Sequence, residues 1–88
     1  MGTHGSHPAI IKRLKRAEGH LRSVIAMLEE QRPCADIAQQ MQAIESAITK
    51  AKKTLIHDHI DHCLEHTPGS DRGNRKSIEA LKGITKYL

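Results

Sequence analysis

The chain has 88 residues with no Trp, no Phe and a single Tyr, and its 14 Lys/Arg against 10 Asp/Glu leave a formal charge of +4. One small aliphatic domain of this length buries only about 60–65% of its unfolded surface, which makes a marginal monomer and favours assembly into oligomers. The positive balance favours an anionic partner such as nucleic acid. No apolar run approaches the ~20 residues of a membrane span. With no signal-peptide pattern, the two cysteines are expected reduced, in the cytoplasm.

Residues 1–8 read as a flexible arm carrying His4 and His7, and residues 9–88 as one helical domain. After Pro8, apolar residues recur at Ile10, Leu14, Ala17, Leu21, Val24 and Leu28. Steps of four and three predict an amphipathic helix with a heptad-like stripe, ending near Glu30. Gly19 interrupts it at a cost of ~1 kcal/mol relative to Ala, a cost that close helix approach would offset. Pro33 suits the start of a second helix, with Cys34 in or just before its first turn and Asp36 where the dipole favours negative charge.

That second stripe runs Ile37, Met41, Ile44, Ile48, Ala51 and Leu55, and no Gly or Pro breaks the chain from Cys34 to Thr67. The spacing predicts a helix of about 30 residues. Thr67 to Asn74 is dense in turn formers and reads as a loop. A short third helix follows, with Ile78, Leu81, Ile84 and Leu88 on one face. The fold class is all-α: a three-helix protomer with a long central helix.

His57, His59, His62, Cys63 and His66 crowd the end of the second helix. Solvated histidines near a helix C-terminus are common, because the dipole favours their cationic form. His59 and Cys63, however, are i, i+4 neighbours on one face, a spacing at which imidazole and thiolate chelate a soft or borderline metal. Cys34 is the second thiol. On one straight helix it lies roughly 37 Å from His59, so the two cannot meet within a subunit. Two such helices side by side and antiparallel would bring them together, making two equivalent sites per two-fold dimer. A small buried packing residue is the plainer reading of Cys34.

Basic residues gather on the polar sides of the first two helices: Lys12, Arg13, Lys15, Arg16 and Arg22, then Lys50, Lys52 and Lys53. Such runs are commonly just solvated faces. Doubled by two-fold symmetry they could also neutralise several phosphates. No aromatic residues interleave them, which argues against base-stacking recognition of single strands. With no reading-helix motif, phosphate contact and DNA shape are the expected mode.

The run Arg13-Leu14-Lys15-Arg16-Ala17-Glu18-Gly19-His20-Leu21, then Cys34, Ala38-Gln39-Gln40-Met41-Gln42-Ala43-Ile44, and His59 with Cys63 resembles the CsoR/RcnR family of metal-responsive repressors. Within that family, His-Asp-His-Ile-Asp-His-Cys is similar to the DmeR-like nickel/cobalt regulators. The resemblance implies an antiparallel dimer that assembles to a dimer of dimers, a homotetramer. It implies Cys34, His59 and Cys63 as metal ligands, and double-stranded operator DNA contacted through Arg13, Arg16, Lys50 and Lys53. It implies a repressor, not an enzyme, that releases DNA when metal binds and so derepresses an efflux gene.

Nickel and cobalt members add an N-terminal His; that position is Gly2 here, with His4 and His7 nearby. Copper members keep a Tyr before the cysteine and a Glu in the third helix; here Pro33 and Glu79 stand at those positions. The expected ligand is therefore Ni(II) or Co(II), held by Cys34, His59, Cys63 and His4 or His7, with Glu79 behind His59. The alternatives are a Cu(I) sensor on the Cys/His/Cys set, a persulfide sensor using the two cysteines, and a metal buffer without a DNA role. The formaldehyde-sensing branch relies on a proline after the initiator Met, which Gly2 replaces. An 88-residue helical chain offers no evident pocket for a metalloenzyme.

Overall fold

The computed structural model describes residues 5–65 and 71–88, with side chains over 5–61 and 78–88. Three helices make up the described chain: α1 (His7–Glu29), α2 (Cys34–Glu65) and α3 (Asp71–Thr85). No strand occurs among the described residues, so the all-α expectation holds.

Pro8 occupies the first turn of α1, where its missing N–H costs nothing and its fixed φ suits a helix. The helix consequently opens at His7, before Pro8, and His7 belongs to its first turn. Ser6 is the N-cap residue, yet its side chain makes no capping bond. Its carbonyl accepts from the Ile10 amide at 3.0 Å, while its hydroxyl is committed to another helix.

At the other end α1 closes with a Schellman motif. The Arg32 amide donates to the Met27 carbonyl (3.0 Å) and the Gln31 amide to the Leu28 carbonyl (3.1 Å). This geometry requires a left-handed residue, and Gln31 supplies it with φ 55°. Glycine is the residue that adopts this conformation without strain. Pro33 then starts α2, its carbonyl accepting from the amides of Asp36 (3.1 Å) and Ile37 (3.2 Å).

α1 and α2 form an antiparallel hairpin. His20 of α1 meets Gln40, whereas Ser6, earlier on α1, meets Asp58, later on α2. The buried residues of the seam are Ile10, Ala17 and Val24 on α1 and Ile37, Ile44 and Ala51 on α2, each set stepping by seven. Val24, Ile37 and Ile44 form one contiguous cluster, with Met27 packed against it.

The hairpin thus uses only half of each predicted stripe. Leu14, Leu21 and Leu28, and Met41, Ile48 and Leu55, remain exposed, at 38–56% of their full surface. A second helix covers one column of a heptad; the alternate column is left for another partner. Ile56, rather than Leu55, is the fully buried residue at 1%. It lies about 140° around the helix from Ala51, away from the side that α1 covers, and α3 is the other helix packed on α2.

Two further expectations change. Gly19 makes no close approach within the protomer: a Cβ there would meet nothing within 4 Å. The loop expected over Thr67 to Asn74 ends sooner, because α3 begins at Asp71. A negative residue at the first helical position suits the dipole, and Gly73 and Asn74 are carried inside the helix. Residues 66–70 of that loop lie outside the described residues.

Substitutions should separate these contributions in urea denaturation. Ile44→Ala is expected to cost about 2–4 kcal/mol through the cavity it leaves. Gln31→Gly should gain up to about 1 kcal/mol by relieving the left-handed backbone. An unchanged midpoint in both would contradict this account of the hairpin.

Candidate metal centre and basic groove

Cys34 is the first residue of α2 and is exposed, with its thiol free. His59 is half-buried near the far end of the same helix. The 25 positions between them amount to about 37 Å of helix, within a molecule 60 Å long. Among the described residues no group of three His, Cys, Asp or Glu side chains converges within the protomer. One copy of the chain therefore does not bring Cys34 to His59.

Cys63 lies one turn beyond His59 on the α2 backbone, but its side chain, like that of His62, falls outside the described residues. His4 and His66 fall outside them altogether. The donors that are described fit a soft or borderline metal, one thiol and one imidazole at opposite ends of a rigid rod. Glu79 sits exposed on α3.

The start of α1 is pinned beside His59. The Ser6 hydroxyl donates to Asp58 Oδ2 at 2.6 Å in a partly buried setting, one residue from His59. An O–H to carboxylate bond this short is charge-assisted. His7, next in sequence, is half-buried. His7, Asp58 and His59 each make further polar or ring interactions besides this bond.

The four expected DNA contacts divide. Arg13, Arg16 and Lys50 line a single groove of about 570 Å³ between α1 and α2. Its floor is low because Ala17, Ala43 and Ala47 carry only methyl groups. Lys53 lies about one turn beyond Lys50, exposed and outside that lining.

His20 and Ser46 complete the groove. His20 donates from Nε2 to Gln40 Oε1 at 2.5 Å, bridging the two helices. Sequence reasoning passed over this pair. The available signal was His20 lying four and seven residues after Arg16 and Arg13, on their side of α1. Its partner Gln40 becomes evident only once the antiparallel register is known.

A long central helix with thiol and imidazole donors at its ends, clasped to a basic first helix, defines a class of small all-helical proteins. The chain belongs to the metal-sensitive transcriptional repressor family, whose model matches residues 6–87. Members of that family are transcriptional repressors rather than enzymes. The copper-sensing transcriptional repressor CsoR of Mycobacterium ulcerans is 33% identical over 79 residues, covering 90% of this chain and 67% of the relative. This chain thus spans about two thirds of that relative's length. The copper-sensing transcriptional repressor RicR of Mycobacterium tuberculosis is 37% identical over 82 residues, covering 88% of this chain and 82% of the relative. Among solved structures, the nickel-responsive transcriptional regulator InrS superposes with a TM-score of 0.81 at 25% identity, covering 99% of this chain and 97% of that one. No described helix is long and apolar enough to cross a membrane.

Ser6→Ala should free the first turn of α1 from α2. Amides near Ile10 are expected to exchange with deuterium about fivefold faster, for a local loss of about 1 kcal/mol. Amides at Val24 should be unaffected.

Proposed function

We propose that the chain is a cytoplasmic repressor that binds double-stranded operator DNA without metal and releases it on binding Ni(II) or Co(II), derepressing a metal efflux gene. The observation that carries this reading is the separation of Cys34 from His59 along one unbroken helix whose second apolar column is uncovered. Both features are explained together by an antiparallel dimer. Covering Leu14, Leu21, Leu28, Met41, Ile48 and Leu55 with a second copy would bury the column and bring Cys34 of one chain to His59 and Cys63 of the other. Two such dimers would make the homotetramer.

In this reading residues 1–8 serve the metal and residues 9–88 form the domain that senses it and grips DNA. Arg13, Arg16 and Lys50 neutralise phosphates in the groove, and Lys53 extends the basic surface along α2. The pinning of Ser6 to Asp58 supports an N-terminal ligand, since it places the first turn of α1, which carries His7, at the part of α2 that carries His59. Nickel and cobalt take more nitrogen and oxygen donors than Cu(I), which is content with three soft ones. Glu79 would orient His59 from behind, as outer partners of metal-bound imidazoles do. A Cu(I) sensor on Cys34, His59 and Cys63 is the second reading, favoured by the likeness to copper-sensing relatives.

Metal and DNA oppose one another through a coupling free energy, and a coupling of ~3 kcal/mol alters affinity roughly 150-fold. The test is DNA binding by fluorescence anisotropy under anaerobic, reducing conditions, titrated separately with Ni(II), Co(II) and Cu(I). Release at stoichiometric Ni(II) or Co(II) is the expected result. Release by Cu(I) alone establishes the second reading, and no release by any metal turns the case to persulfide chemistry at the cysteines. His59→Ala should bind DNA as the wild type does but lose most of its metal response. Arg13→Glu with Lys50→Glu should weaken DNA binding by about 100-fold or more at low salt; unchanged affinity would leave a metal buffer as the better description.

A further inference from the structure

His20 is the one imidazole in the basic groove, beside Arg13, Arg16 and Lys50. Its Nε2–H is committed to Gln40 Oε1. An amide oxygen only accepts, so this bond keeps a proton on Nε2 and leaves Nδ1 as the ring nitrogen whose protonation can change. When neutral, Nδ1 is an acceptor, whereas the charged neighbours Arg13, Arg16 and Lys50 only donate. When protonated, it becomes a fourth cationic donor facing the same space.

The charged groups that share the groove are Arg13 and Arg16 from α1 and Lys50 from α2, and among the described residues no carboxylate lines it. Glu18, the nearest acid on α1, is paired with Arg22 at 3.8 Å. Without DNA the charged groups around His20 are all cations. An anion seated among them reverses that field, and its oxygen accepts from Nδ1–H. The methyl floor of Ala17, Ala43 and Ala47 lets a bulky anion approach all four donors. A concave groove between helices suits the convex ridge of a DNA backbone better than the recessed edges of bases.

We propose that His20 contacts a DNA phosphate in this groove, taking up a proton from solvent at Nδ1 as DNA binds, and that Gln40 is its positioning residue. The proposal rests on the groove being a seat for DNA. The bound state then holds one more proton per engaged groove than the free protein. Affinity strengthens as pH falls and weakens as it rises, approaching about tenfold per pH unit for each groove engaged.

Phosphate contacts are indifferent to sequence, so a fluorescein-labelled mixed-sequence duplex of roughly 30 base pairs at low salt is a sufficient probe. The metal-free, reduced chain is titrated between about pH 6 and 8.5, the range in which imidazole changes charge. Wild-type affinity is expected to fall as pH rises. His20→Gln should lose that slope and sit near the wild type's high-pH affinity, with its helical circular dichroism unchanged. Gln40→Leu, which removes the acceptor for Nε2–H, should diminish the slope.

Calorimetry in two buffers of different ionisation enthalpy reads proton uptake on the wild type directly, so the proposal is testable even if a variant fails to fold. No uptake overturns it, and so does a folded His20→Gln with the wild-type slope. In either case, weakened binding by Arg13→Ala and Lys50→Ala leaves the groove standing as the DNA seat. If those two variants bind as tightly as the wild type, the groove itself is not the seat and the proposal falls with it.

Discussion

The structure depends on one packing constraint, the seven-residue columns that zip α1 to α2. Ile10, Ala17 and Val24 mesh with Ile37, Ile44 and Ala51, and everything functional takes its place from that register. A helix rotated by one residue turns about 100°, which would move the whole column out of the seam. The register puts Ser6 on Asp58, His20 on Gln40, and Arg13 and Arg16 across from Lys50. Ala17 belongs to both the buried column and the floor of the groove. A larger residue there would spread the helices and fill the groove in the same step, so packing and the shape of the groove share one position.

The second constraint is the length of α2. Thirty-two residues without Gly or Pro form a rod that cannot fold back to bring its ends together. A metal site using both ends must draw on two copies of the chain, which makes metal binding and subunit geometry thermodynamically inseparable. Such a chain has little need of internal moving parts. In the proposed dimer a change in how two rods lie against each other would alter the spacing of the basic grooves they carry, and a DNA backbone with fixed phosphate spacing would discriminate between the two arrangements.

What was legible in the sequence follows from which features are local. Helix existence, the Pro33 start of α2 and its unbroken length come from periodicity and breakers, and the heptad stripes were visible residue by residue. Which half of each stripe the hairpin would cover was not, since periodicity marks apolar positions without saying how many partners share them. Leu55 and Ile56 exchanged roles for that reason: Ile56 is buried on a side of α2 that the α1 pattern does not mention, and α3 is the other helix packed on α2. Gly19 and the start of α3 were misjudged because Gly reads as close approach or as a breaker, whereas here it sits exposed on α1 and inside α3. Of the proposed site, the donor types and their separation could be read from spacing alone. The His20–Gln40 and Ser6–Asp58 contacts span 20 and 52 positions and need the tertiary register before either can be seen.

Likeness to relatives is a poor guide to the metal, for a physical reason. Identity is summed over 79 to 82 residues, of which a metal site takes only a few. Metal choice is decided by the number and softness of donors at a few atoms. That is how one chain can be 33–37% identical to copper-sensing repressors and superpose on a nickel-responsive one. Where α1 begins, the Ser6–Asp58 bond fixes the first turn of that helix, which carries His7, against the part of α2 that carries His59. A nitrogen donor from that turn would raise the donor count at the imidazole end, and donor number is what separates nickel or cobalt from Cu(I).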